Sequence, residues 1–159
     1  MNMLAVRIAE GGLADLPAAM AVMDDSFDTA FGEAWTVSQC AGLLPLPGVW
    51  LSLAHDRGDV VGFALSRIVA EEAELLLLAV RRAAQNRGIG RTLLEDFGVR
   101  AGARGATRLH LEVRDGNAAI ALYEKAGFSP VGRRRDYYRG SNGGHHDAIT
   151  LMKKVCSAQ

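Results

Sequence analysis

The chain has 159 residues, a length for one domain, which at this size buries about 70% of the surface its unfolded chain exposes and needs no disulfide or metal staple. Apolar residues make up 49% and charged residues 23%, the composition of a globular chain rather than a disordered one. Lysine plus arginine equals aspartate plus glutamate at 18 each, so no net field draws nucleic acid or an anionic membrane surface. No uninterrupted apolar run is longer than Leu75–Val80, which excludes a membrane-spanning helix.

Residues 4–9 alternate weakly and read as a first strand. Residues 1–10 hold no apolar stretch for a signal peptide, so a cytoplasmic location is expected. Leu13, Leu16, Met20 and Met23 recur at helical spacing, with Pro17 suited to an early turn. Residues 26–47 read as loop around a short helix, Val37 to Leu43. Strands near Val49–His55 and Val60–Ile68 flank Asp56-Arg57-Gly58-Asp59, which has hairpin chemistry. Ala73–Val80 reads as a buried central strand.

The period then changes: Ile89, Leu93, Leu94, Phe97 and Ala101 share one face of a helix. Thr107–Val113 is a further strand, and Ala118–Lys125 a short helix stopped by Gly127. Pro130–Arg135 and Ala148–Lys154 read as closing strands, with Tyr137 to His146 a glycine-rich flexible connection. The order predicts an α/β fold, a single mixed central sheet with helices on both faces, in one domain over 1–159. Cys40 and Cys156 lack the spacing of a zinc set or a redox pair, and His145-His146 has no further ligand at fitting distance, so no metal is expected.

The stretch Gln85-Asn86-Arg87-Gly88-Ile89-Gly90-Arg91-Thr92 joins the buried strand to the amphipathic helix. Glycines let backbone approach an anion, and the first helical turn offers unpaired N–H groups and a favourable dipole. Arg87 and Arg91 add positive charge. A tight strand-to-helix connection would also use these glycines. Neither the Gly-Lys-Ser/Thr of a nucleotide P-loop nor the third glycine of the dinucleotide fingerprint is present.

This stretch resembles the Gln/Arg-x-x-Gly-x-Gly/Ala signature of GNAT acetyltransferases, with Gln85, Gly88 and Gly90 at the motif positions. The resemblance continues through Leu111-Glu112-Val113-Arg114, then Ala121-Leu122-Tyr123-Glu124-Lys125-Ala126-Gly127-Phe128, Arg134-Arg135-Asp136-Tyr137-Tyr138 and Asp147-Ala148-Ile149. It is similar to the RimI-type branch, whose members acetylate the N-terminal amine of a ribosomal protein. It covers residues 72–154 well and the first half in outline.

The resemblance implies acetyl-CoA as cosubstrate, its pantetheine arm along Leu78, Ala79 and Val80 and its pyrophosphate on the amides of Asn86, Arg87, Gly88, Ile89, Gly90 and Arg91, with Gln85 and Thr92 as further cofactor-binding residues. Asn117 is implied as a further contact, although it lies six positions before Tyr123 where the family has seven; Arg81-Arg82 replace the usual Asp-Pro. Glu112 is implied as base and Tyr123 as the group assisting thiolate departure. On residues alone, His110, Glu112 and Arg114 also fit a solvated strand face, Tyr123 a core position, and Leu78–Val80 plain core. Glu33, Trp35, Tyr137 and Tyr138 are the implied acceptor-binding residues. The acceptor implied is a protein or peptide N-terminus, such as that of a ribosomal protein, with no nucleic-acid or membrane partner. A small amine (aminoglycoside, polyamine or amino acid) and a non-catalytic acyl-CoA-binding module are the alternatives.

Overall fold

The computed structural model describes residues 6–155; Cys156 and the first residues of the expected opening strand lie outside them. Seven strands form one sheet in the order β1-β2-β3-β4-β5-β7-β6. They are β1 (Val6–Gly11), β2 (Val49–Asp56), β3 (Asp59–Val69), β4 (Glu72–Val80), β5 (Arg108–Arg114), β6 (Ser129–Arg139) and β7 (His145–Lys154). Every pairing is antiparallel except β4 with β5.

Four helices cover the two faces: α1 (Leu16–Ser26), α2 (Val37–Leu43), α3 (Ile89–Ala103) and α4 (Ala119–Lys125). Helix α2 starts where Thr36 and Gln39 exchange side-chain and backbone hydrogen bonds, at 2.7 and 3.1 Å, a reciprocal cap that satisfies two orphan donors. Helix α3 buries Ile89, Leu93, Leu94, Phe97 and Ala101 with α4 against one face of the sheet, where Trp50, Ala73, Leu75, Leu109 and Leu111 meet it. Helix α1 and Cys40 of α2 pack on the other face against Leu51, Leu53, Phe63, Leu65, Leu77 and Ala79.

Two irregularities in β4 make the site. Opposite β3, Leu65 pairs with Leu77 but Ser66 pairs with Leu75, so Leu76 is an extra residue. Such a bulge shifts the side-chain alternation by one. Ala73 and Leu75 therefore point to the α3 face, whereas Leu77 and Ala79 point to the α1 face. On the other edge, β4 pairs with β5 only from Glu72↔Arg108 to Leu75↔Leu111. Beyond that point the two strands run on to Val80 and Arg114 without a shared ladder. The sheet forks, and the fork is open at the carboxyl ends of both strands.

The connection read as flexible from Tyr137 to His146 is strand at both ends, leaving only residues 140–144 as the turn. Strand β6 continues to Arg139 and β7 starts at His145. All of β6 but Tyr138 is exposed, so it carries no buried alternation from which a strand reads. What holds it is the ladder to β7, interrupted by a bulge between Arg134 and Tyr138.

Candidate active site

The fork opens into a cleft of about 520 Å³ lined by Leu75 to Val80 of β4, Leu111 to Arg114 of β5, the turn before α3, Leu122 and Tyr123 of α4, and Tyr138 of β6. Phe27, Asp28, Phe31 and Glu33, from the loop between α1 and α2, complete it.

The turn is built from backbone. Asn86 and Gly88 both adopt left-handed conformations, φ 63° and 81°, which asparagine and glycine tolerate better than other residues. The first helical bond of α3 is Thr92 N–H to Gly88 C=O at 3.0 Å, so the amides of Ile89, Gly90 and Arg91 have no intrahelical acceptor. Gln85 turns back to donate to the Val80 carbonyl at 3.0 Å, bracing the turn against the end of β4. Gln85, Asn86, Gly88, Ile89, Gly90 and Arg91 line the cleft, as do Leu78, Ala79 and Val80. Arg87 does not; its guanidinium pairs with Asp56 of β2 at 3.0 Å. Thr92 lies outside the lining too, its hydroxyl donating to Gly88 C=O at 2.9 Å.

Glu112, Tyr123, Tyr138, Glu33 and Asn117 line the same cleft. The Glu112 carboxylate sits 2.9 Å from the Arg134 guanidinium, and the Glu112 carbonyl accepts from the Tyr138 hydroxyl at 3.3 Å. Tyr123 is buried in α4 and packs edge-on to Phe128 at 6.2 Å. Burial pushes its hydroxyl well above the ordinary tyrosine range, and the charge of Glu33 pushes it further. Tyr138 is raised likewise, by burial first and then by Glu33 and Glu112. Glu33 is held by Asn117 Nδ2 at 2.9 Å and lies 3.3 Å from Arg114. Asn117 also accepts from Ala119 N–H at 2.8 Å, so both ends of its amide are engaged, in capping α4 and in fixing Glu33.

Two of the residues expected to bind acceptor lie outside the cleft lining. Trp35 packs with the α1 core and donates its backbone N–H to the Met23 sulfur. Tyr137 is half exposed on β6. Conversely, Phe31, Arg114 and Arg134 take part: Arg114 stacks over Phe31 at 3.7 Å. Arg114 and Arg134 stand inside the recognised motifs, yet only the β5–β7–β6 register brings Arg134 to Glu112.

The α1–α2 loop, which lends Phe27, Asp28, Phe31 and Glu33 to the cleft, is clasped to the β6–β7 hairpin. Ser141 N–H donates to Thr29 C=O at 3.0 Å, and Phe31 meets His146 edge-on at 5.3 Å. A Cβ on Gly32 would overlap the Arg139 carbonyl, and one on Gly140 the Ala30 carbonyl; the two backbones approach this closely only because both residues are glycine.

A forked parallel pair, a glycine turn with free amides, a carboxylate and a buried tyrosine thus border one cleft. Residues 17–128 match the model of the acetyltransferase (GNAT) family. The chain belongs to that family. It is an acetyl-CoA-dependent N-acetyltransferase.

Relatives narrow the branch. The chain is 46% identical over 103 residues to the ribosomal protein bS18-alanine N-acetyltransferase of Salmonella typhimurium, covering 64% of this chain and 68% of that one. It is 44% identical over 108 residues to the N-alpha-acetyltransferase RimI of Mycobacterium tuberculosis, 63% of each. The crystal structure of the ribosomal-protein-S18-alanine N-acetyltransferase from Escherichia coli superimposes with a TM-score of 0.86 at 34% identity, over 97% of this GNAT chain and 96% of that one. Among the described residues no helix is long and apolar enough to cross a membrane.

The described residues fit acetyl-CoA. The β4 edge past Leu75 has no ladder partner, the α3 amides point out of the helix end, and a Cβ at Gly90 would stand 3.5 Å from Leu122 and 3.8 Å from Val80, a narrow passage between turn and α4.

Proposed function

We propose that this enzyme acetylates the N-terminal α-amine of a protein, with a ribosomal protein such as bS18 as the foremost candidate, using Glu112 to accept the amine proton and Tyr123 to donate a hydrogen bond to the departing sulfur. The observation that carries the reading is the convergence of Glu112 and Tyr123 on one cleft at the point where β4 and β5 separate. The branch-level similarity to ribosomal-protein-alanine acetyltransferases supports the acceptor.

Acetyl-CoA, when bound, supplies a thioester acyl group and a thiolate leaving group. The Leu78–Val80 edge would hold its amide-bearing arm, and the amides of Asn86 to Arg91 its pyrophosphate. At pH 7 about a tenth of an α-amine of pKa ~8 is neutral, against ~0.04% of a lysine amine near 10.4. A carboxylate at Glu112 therefore has a modest task with an N-terminus and a far larger one with lysine. Tyr123 keeps its proton throughout the working range, because burial and Glu33 both oppose its ionisation. Even an unperturbed tyrosine, near 10, would transfer a proton to a thiolate near 8.5 uphill by about 2 kcal/mol. Its contribution is a directed hydrogen bond, not a delivered proton.

The test is kcat/KM against pH for wild type and Glu112→Gln, with matched α-amine and lysine peptides and a panel of small amines. The variant should fall about 10²- to 10⁴-fold at pH 7. With the α-amine peptide the gap should narrow toward pH 9, as the free amine rises from about a tenth to about nine tenths. Lysine peptides should remain poor. Faster turnover of a small amine than of any N-terminal peptide would overturn the acceptor, and a fully active variant would remove Glu112 from the chemistry.

A further inference from the structure

Arg134 lies on β6, two strands away from Glu112 on β5, with β7 between them. Glu112 pairs with Thr150, Gly132 with the same Thr150, and Arg134 with the next facing residue, Ala148. Two strand spacings are about 10 Å, the combined reach of an extended arginine and a glutamate. The short side chain of Ala148 leaves that path open, and the guanidinium closes on the carboxylate at 2.9 Å. The pair is lopsided: the Glu112 side chain is 13% exposed and that of Arg134 62% exposed. The acid end is fixed in the cleft, whereas the cation end reaches in from solvent. With its guanidinium end in solvent, the pair is held less firmly than one buried at both ends.

We propose that Arg134 is a displaceable stand-in for the ammonium group of the acceptor, holding the Glu112 carboxylate until a cationic N-terminus takes its place. The proposal rests on the reading of Glu112 as proton acceptor. An α-amine is mostly protonated at pH 7, so it reaches Glu112 as a cation and competes for the same oxygens. The displaced guanidinium has a second resting place. The Tyr137 ring lies 5.5 Å from it, within range of a cation–π contact. The β6 bulge sets that ring beside it, with Asp147 anchoring the bulge through Asp136 N–H at 2.9 Å and Arg133 at 2.6 Å.

Steady-state kinetics with an α-amine peptide separates this role from a structural one. Arg134→Gln should lower the acceptor KM by roughly two- to fivefold, the upper range of what an exposed ion pair is worth, and leave the acetyl-CoA KM unchanged. Arg134→Lys, which keeps a cation, should stay near wild type. In a Glu112→Gln background, Arg134→Gln should have no effect on acceptor KM, and thermal unfolding should show each variant folded. An acceptor KM that rises or does not move in Arg134→Gln overturns the proposal. If Glu112→Gln has itself lost turnover, only the role of Arg134 falls; if it turns over normally, the reading of Glu112 falls with it.

Discussion

The two sides of the cleft are built on different principles. On the side of the glycine turn, the groups offered to a ligand are backbone amides and an unpaired strand edge, held by α3 and by the Gln85 brace on Val80. On the acceptor side they are side chains: Glu33, Glu112, Arg114, Arg134 and Tyr138, joined across three separate segments. Backbone recognition asks little of side-chain identity beyond small size at a few positions, and it suits a cosubstrate of constant structure. Side-chain recognition can be retuned residue by residue, which suits an acceptor that differs from one relative to another.

The largest expected effect tests the backbone side. Gly90→Glu places a carboxylate beside amides meant for an anion, and like-charge opposition costs several kcal/mol. Acetyl-CoA affinity measured by calorimetry should fall at least about 100-fold. The melting temperature should hold, since an acidic residue in the first turn of a helix is favourable. Affinity retained within a few-fold would mean that the turn holds no phosphate.

Tyr123→Phe comes next and probes the point where the two sides meet. It should lower kcat by about 10²- to 10³-fold, the worth of one directed donor, with the acetyl-CoA KM within a few-fold. A raised KM with kcat unchanged would instead assign Tyr123 to ground-state binding.

The smallest effect sharpens the contrast from the acceptor side. Gly140→Ala forces a methyl group into the Ala30 carbonyl and should loosen the clasp at a cost of about 1–3 kcal/mol, as overpacking generally does. The melting temperature should drop by several degrees, and the acceptor KM should rise about tenfold while acetyl-CoA affinity stays level. A parallel loss of acetyl-CoA affinity would show that the two sides are not separable.

The same division governs what could be read from the chain before its structure. The backbone side lies within one continuous segment, so Gln85, Gly88 and Gly90 carry its signature, and the α3 period exposes the helix that follows. Helix α2 falls where the short helix was expected, and its cap, the exchange between Thr36 and Gln39, is local in sequence. The acceptor side depends on register. Nothing near Arg134 in sequence reveals Glu112 as its partner, because the β7 ladder lies between them. Strand β6 beyond Arg135 was read as loop, since an exposed strand has no alternation to detect. Trp35 was implied as an acceptor contact by the resemblance alone, but a large apolar ring joins the α1 core when one is within reach. The Leu76 bulge was hidden inside Leu75–Val80, where every residue is apolar and a change of facing leaves no mark.

The short seam between β4 and β5 has a mechanical consequence. Only the pairs from Glu72↔Arg108 to Leu75↔Leu111 join the β1–β4 plate to the β5–β7–β6 plate within the sheet. Elsewhere the two plates are joined through the core that α3 and α4 share with both, not by backbone hydrogen bonds between strands. The clasp from Ser141 to Thr29 ties the β1–β4 plate, through the α1–α2 loop, to the β5–β7–β6 plate at a second point away from the seam, as a latch joins a box on the side opposite its hinge.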